Sequence, residues 1–233
     1  VEQWLRFPTI DSTNTFVKTY QPLPVNGLLV VSADRQTGGR GQRGNAFFSD
    51  TVGGLWASIV APIGDIGAHF THNRAIIMGI FDAVRSLAPE APLAIKWPND
   101  LYWGRRKMCG ILLESMPGSA RHLIIGFGVN VNVPLQAFPE GPRTIATSIE
   151  AETGRRHDVP GLLDAVVDAY ASRVVADQTR VHEEYRARLL GVGACAAIGD
   201  VTGTILDVLP DGRLCLGVQG GTQYFSSGPM RFV

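Results

Sequence analysis

Apolar positions along the chain fall into short runs separated by polar, glycine-rich segments, and only two long stretches carry helical spacing. Residues 2–7 (EQWLRF) read as a strand. In DSTNTFVKTY (11–20), Ser12 or Asp11 is placed to cap a short helix. GLLVVSAD (27–34) is a β-branched run, a buried strand, and GGLWASIVAP (53–62) is another. Residues 69–88 repeat apolar side chains at helical spacing and end at Pro89, which predicts a long amphipathic helix. LAIKWPND is a strand that stops at Trp97-Pro98, because the residue before a proline is held extended. LYWGRRKMCGILLES reads as a hairpin with Gly104 and two arginines at its turn, and RHLIIGFGVNVNVP as a further strand. Residues 161–190 are the second long helical stretch. From Gly191 on, short strands alternate with PDG and QGG turns, a small barrel too short to stand alone and so packed on the main body. Strands and helices do not alternate regularly, which predicts an α+β fold, a mixed β-sheet with flanking helices. The expected division is 1–190 and 191–233.

Composition narrows the classes. With 233 residues, 45% hydrophobic and 18% charged, the chain can bury a sizeable core and is not a disordered segment. Its 21 basic and 21 acidic residues cancel, so a generic nucleic-acid surface is not expected and any positive potential must be local. Cys109, Cys195 and Cys215 are odd in number and widely spaced, which argues against a disulfide framework or a zinc site and for a reducing cytoplasm. No run approaches membrane-spanning length, and no signal peptide opens the chain.

One loop departs from the zero balance. TGGRGQRGNA (37–46) has four glycines and two arginines and no acid. Gly38, Gly39, Gly41 and Gly44 let backbone N–H groups converge on an anion, and Arg40 and Arg43 add planar charged donors suited to phosphate or carboxylate. A phosphate-binding P-loop is excluded because no lysine follows. GRGQRG (39–44) has the spacing of a dinucleotide fingerprint, but arginines replace its small residues and no helical pattern follows. Lys96 ends an apolar strand, either as its snorkelling tip or as a charge aimed into a cleft. Lys107 and Glu114 follow in the hairpin, so polar residues gather at neighbouring strand ends.

Four segments occur in order: DSTN (11–14), GGRGQRGN (38–45), KWPNDLYWGRRKMCGILLE (96–114) and GFGVNVN (126–132). Together they resemble the catalytic domain of the biotin protein ligases across roughly residues 2–150. The similarity runs more loosely through 161–190, and the C-terminal segment is similar to the family's SH3-like barrel. The resemblance implies a class II synthetase-like domain that activates biotin with ATP to biotinyl-5′-AMP and passes biotin to a lysine of a biotin carrier domain of the acetyl-CoA carboxylase type. Magnesium would travel with ATP. Lys96 would be the catalytic lysine, bridging biotin carboxylate and α-phosphate, with Arg40 beside it. Ser12, Thr13, Asn14, Gln36, Gly41 and Gln42 match biotin contacts. Gly110, Gly126 and Gly128 match positions of close backbone approach to biotin. Arg43, Phe47, Asn99, Lys107 and Asn130 match the nucleotide side. Asp100 is either a magnesium contact or a turn former, and no resident metal is expected.

This chain departs from the family at two places. Gln42 stands where many bacterial members have arginine, and Phe47 where tryptophan is usual. Only eleven residues precede Ser12, which suggests the monofunctional class without a DNA-binding domain; no DNA or membrane partner is expected, and a homodimer stays open. The competing readings are a lipoate or octanoyl ligase of the same superfamily and a non-catalytic biotin sensor.

Overall fold

The computed structural model describes residues 3–64 and 68–233; position 2 of the first expected strand lies outside them. The main sheet has seven strands in the order β1-β2-β3-β7-β6-β5-β4. These are β1 (Gln3–Phe7), β2 (Leu29–Ala33), β3 (Leu55–Pro62), β4 (Leu93–Lys96), β5 (Asp100–Trp103), β6 (Arg106–Ser115) and β7 (His122–Val129). β1 and β2 are parallel and every other neighbouring pair is antiparallel, which makes the sheet mixed as expected. β4 stops at Lys96, and Gly104 turns the β5–β6 hairpin with a positive φ of 58°.

Helices cover both faces, which is why the central strands read as unbroken apolar runs. On one face α2 (His69–Leu87) and α5 (Val159–Val174) pack over Ile59, Ile111, Ile125 and Val129. On the other face α1 (Thr13–Val17) contributes Val17 to a smaller cluster with Leu29, Val31, Val60 and Ile124. Ser12 is the N-cap of α1, accepting from the Thr15 N–H at 3.4 Å. A buried polar pair sits among the covering helices. Burial and the nearby His69 push His72 down to about 4, so its ring is neutral, and its Nδ1 is hydrogen-bonded with the Tyr170 hydroxyl at 2.7 Å.

The second helical stretch is two helices. α5 ends at Val174 and α6 (Gln178–Arg186) restarts at Asp177, whose carboxylate accepts from the Thr179 N–H at 3.0 Å. Apolar periodicity carries across this break because both pieces bury one side, and only the capping aspartate marks it. Residues 130–157, which carry no strong periodicity, form a strap with two short helices, α3 (Glu140–Arg143) and α4 (Ile149–Thr153).

The C-terminal strands are β8 (Cys195–Ile198), β9 (Val201–Val208), β10 (Leu214–Val218), β11 (Gly221–Phe225) and β12 (Met230–Phe232). They form an antiparallel sheet in the order β11-β10-β9-β8-β12, open rather than closed into the expected barrel, with no pairing between its two ends among the described residues. It does pack on the main body. Ile198, Ile205, Leu216 and Met230 belong to the same apolar cluster as α2 and the main sheet. The Trp97 indole N–H donates to the Gly212 carbonyl at 2.9 Å across this junction.

Close helix packing generates a stability prediction. A methyl on Gly79 of α2 would stand 3.1 Å from the Tyr170 nitrogen and 3.3 Å from the Val166 oxygen, both backbone atoms of α5. Gly79→Ala gains about 1 kcal/mol in helix propensity and loses about 1–3 kcal/mol to overpacking. The expected net result is a lower urea midpoint; a raised midpoint would mean that α2 and α5 part without cost.

Candidate active site

Strand periodicity selects the floor of the site. Trp56, Ser58 and Val60 of β3 point away from the large core, and register places Ser58 beside Gly126, and Trp56 beside Gly128, which in turn pairs with Gly110. The three glycines leave this part of the sheet bare. A cavity of about 380 Å³ opens above it, walled by α1, the glycine-rich loop, the β4–β5 turn and Gly228–Arg231 of the C-terminal sheet. Arg40, Arg43, Lys96, Lys107 and Arg231 line it, against a single carboxylate among the described residues, Asp100.

The lysines occupy different electrostatic states. Lys107 Nζ lies 2.7 Å from Asp100 Oδ1 and is thereby ion-paired. Lys96 has no ion pair among the described residues and sits 5.5 Å from the Tyr102 ring centroid, a cation–π contact. Burial pulls the Lys96 pKa below the ordinary lysine value; Asp100 opposes the shift and Lys107 adds to it. Burial, with Asp100, also pushes Tyr102 up to about 12, so the ring under Lys96 stays neutral. An anion entering here would be the natural counter-charge for Lys96.

The loop is a small hairpin. Gly41 N–H donates to Asn45 O at 2.7 Å, Asn45 N–H to Gln42 O at 3.1 Å and Phe47 N–H to Gly39 O at 3.0 Å. Arg43 holds a φ of 58°, a left-handed conformation that costs a non-glycine residue roughly 1–2 kcal/mol. Glycine would fit that turn more cheaply; the residue here is an arginine, and it is exposed.

The polar end of the cavity is a chain of hydrogen bonds. Gln36, which reads as a surface residue in isolation, is 8% exposed. Its Oε1 accepts from the Thr13 N–H at 2.8 Å, and its Nε2 donates to Ser49 Oγ at 3.2 Å. Ser58 Oγ lies 2.7 Å from Thr13 Oγ1 and 2.6 Å from Asn14 Oδ1. Asn14 Nδ2 donates to Glu114 at 2.9 Å, and Glu114 is paired with Lys18 at 2.7 Å.

All the expected site residues line this cavity except Asn130, which is 4% exposed and donates through Nδ2 to the Thr147 carbonyl at 2.9 Å, bracing the 130–157 strap. Asn99 lines the cavity, but its amide donates to the Ile111 carbonyl and so clamps the turn to β6. The clearance over the glycines is filled by protein. A Cβ on Gly126 would fall on the Asn14 amide, and on Gly110 or Gly128 on the Phe47 ring. That ring lies edge-on to Trp56, centroids 5.9 Å apart, with Lys107 Nζ 5.8 Å from its centre. Among the described residues no group of three or more His, Cys, Asp or Glu side chains is arranged to hold a metal.

The family pattern described as "Biotin/lipoate A/B protein ligase family" matches residues 6–130. The chain belongs to that family. Among relatives, the Bifunctional ligase/repressor BirA of Bacillus spizizenii is 30% identical over 207 residues, 84% of this chain but 63% of that protein. The chain thus spans less than two thirds of that relative. Biotin--[acetyl-CoA-carboxylase] ligase of Paracoccus denitrificans is 32% identical, covering 69% of this chain and 68% of its own length. The Mycobacterium tuberculosis protein of the same name is 26% identical, with 88% and 78% covered. A solved biotin protein ligase from Aquifex aeolicus, in complex with biotin and ATP, superposes with a TM-score of 0.85 over 100% of this chain and 99% of its own at 23% identity, a likeness of fold.

Several residues in and around the cavity were not among the expected site residues. Ser58 had a signal: it is the one hydroxyl inside the apolar run LWASIVAP. Glu114 had one too, as the charge that ends ILLE. Tyr102, Ser49 and Gly228–Arg231 had none, since only tertiary folding sets Tyr102 beside Lys96, Ser49 beside Gln36 and Gly228–Arg231 in the cavity wall.

A Cβ on Gly39 would fall on the Ser49 hydroxyl and the Phe47 carbonyl that close the hairpin. Gly39→Ala should therefore open the loop and raise the rate of trypsin cleavage at Arg40 and Arg43 about tenfold, as cutting tracks the open population. Equal cleavage of both proteins would show that the hairpin is not held at Gly39.

Proposed function

We propose that this chain is an ATP-dependent biotin protein ligase. The observation that carries the reading is a single cavity with amide and hydroxyl groups suited to a cyclic urea at one end, Ser12, Thr13, Asn14 and Gln36, and unpaired cations at the other. The names of the relatives point the same way. In the first step an oxygen of the biotin carboxylate attacks the α-phosphorus of ATP, the bond to the bridging oxygen breaks, and pyrophosphate leaves. Lys96 would hold carboxylate and α-phosphate together and offset the charge that grows between them. Arg40 and Arg43, on the loop above, would face the adenylate phosphate and hold water away from the mixed anhydride. In the second step the amine of the acceptor lysine attacks the anhydride carbonyl and AMP leaves.

Magnesium fits this site only as the nucleotide's counter-ion, since Asp100, the one lining carboxylate among the described residues, is already paired with Lys107. When bound, the ion would neutralise phosphate charge. Gln42 and Phe47 would contact biotin and nucleotide from the loop. In this reading the catalytic unit is 1–190 with 191–233 as an appended sheet. The partner is a biotin carboxyl carrier domain of acetyl-CoA carboxylase or a related enzyme, met in the cytoplasm. Among the described residues no helix is long and apolar enough to cross a membrane.

Incubation with biotin, MgATP and a biotin carrier domain should raise the carrier's mass by one biotin. Transfer of lipoate in place of biotin would move the chain to the other branch of its family. Lys96→Ala should lower the rate of biotinyl-AMP formation at least about 100-fold, the scale of losing one preorganised donor, with an unchanged melting temperature. Unchanged adenylation would reduce Lys96 to a strand-end lysine. The lowered Lys96 pKa also sets a sign: the first-step rate should fall on the alkaline side below the ordinary lysine range, as Lys96 loses its proton. Lys96→Arg keeps the charge at high pH and should move that limb upward in whatever activity remains.

A further inference from the structure

Glu114 does not line the cavity, yet it terminates the hydrogen-bond chain behind the polar end. It is partly buried, and one oxygen faces each partner: Oε1 takes Lys18 Nζ at 2.7 Å and Oε2 takes Asn14 Nδ2 at 2.9 Å. An ionised carboxylate can only accept. Burial alone would raise its pKa, but the hydrogen bonds from Lys18 and Asn14 and the charges of Lys18 and Arg40 bring it below the usual glutamate value. Asn14 must therefore turn Nδ2 to Glu114 and Oδ1 to Ser58. An amide oxygen accepts only, so Ser58 spends its single proton on Asn14 Oδ1, at 2.6 Å. Thr13 Oγ1 lies 2.7 Å from Ser58 Oγ and 3.1 Å from Gln36 Oε1, two acceptors for one proton, and the shorter contact to Ser58 takes it. Thr13 Oγ1 is then left as an acceptor on its open side. Gln36, its oxygen held by the Thr13 N–H and one N–H used on Ser49, has its second N–H left to donate. A cyclic urea offers N–H donors and a carbonyl acceptor, the complement of that arrangement.

We propose that Glu114 is a positioning residue for the substrate, fixing through Asn14 and Ser58 which atoms of this edge accept and which donate. The inference rests on the biotin reading above. It separates Lys18 and Glu114, which never reach the ligand, from Thr13 and Gln36, which do.

Glu114→Gln gives a test that a merely structural role would not pass. Lys18 keeps the amide oxygen, so the new NH₂ faces Asn14. Asn14 must then flip, Ser58 becomes an acceptor from Asn14, and its proton goes to Thr13 Oγ1, occupying a lone pair. Biotin Kd, measured by titration calorimetry, should rise about tenfold, the scale of one misdirected hydrogen bond. The half-saturating ATP concentration should stay within about twofold. Adding Lys18→Met frees the glutamine to turn its oxygen back to Asn14, and biotin affinity should recover to within about threefold of the parent protein. Should Glu114→Gln not fold, Ser58→Ala, which leaves Asn14 Oδ1 without its donor, carries the same tenfold expectation. A parent protein that binds biotin while Glu114→Gln binds it equally well overturns this inference alone. So does a double variant weaker than the single one, or an equal loss of ATP affinity. A parent protein that binds no biotin overturns the biotin reading and this inference with it.

Discussion

The antiparallel register of β3, β7 and β6 is the constraint on which the rest of the molecule depends. Side chains alternate between faces, so a slip of one residue would send Ser58, Gly126 and Gly110 into the apolar core and bring Ile59, Ile125 and Ile111 out under the cavity. Burial of those isoleucines against α2 and α5 thus selects the bare, polar-edged patch on the opposite face. A fully buried isoleucine is worth roughly 1.5–3 kcal/mol relative to exposure, so three displaced together would outweigh any local preference of the loop or the hairpin. The chemistry of the site is in this sense anchored by side chains packed on the opposite face of the sheet.

Charge is distributed along the same division. Away from the cavity the arginines are mostly neutralised in place: Arg6 by Asp34, Arg35 by Asp50, Arg173 by Asp82 and Glu184, and Arg186 by Asp207. At the cavity, among the described residues, Arg40, Arg43, Lys96 and Arg231 have no such partner. A chain with no net charge thereby keeps a concentrated positive field at one mouth. The exposed pairs contribute little to stability; their effect is to confine the field, so that an anion is drawn to this mouth rather than to the surface at large.

Local patterns made much of this legible. β2, β3, β7 and α2 follow from apolar runs and spacing, and the β5–β6 hairpin from Gly104. The loop's concentration of glycine and uncompensated arginine was readable from its own residues. What escaped had no local signal or a misleading one. The division of α5 from α6 hides inside continuous amphipathicity and shows only in Asp177. Gln36 follows a strand and looks solvated, but Ser49, thirteen positions on, and Thr13 enclose it. Asn130 sits in a motif matched to nucleotide contacts, and its Nδ2 donates to the Thr147 carbonyl of the strap, a contact with no local signal. The C-terminal turns suggest a closed barrel, and closure depends on β11 meeting β12, a pairing that strand spacing does not encode.

Gly228–Arg231 stand in the wall of a cavity whose opposite wall begins at Ser12. During synthesis, therefore, the site cannot be complete until residue 231 has cleared the ribosome, long after Lys96 and the loop have emerged. Until then the apolar faces that receive Ile198, Ile205 and Met230 are open to solvent, and the cations at the mouth lack one wall. The nascent chain passes through a stage in which its recognition groups exist but their enclosure does not. The cavity thus gains its last wall only when Gly228–Arg231 have joined the fold.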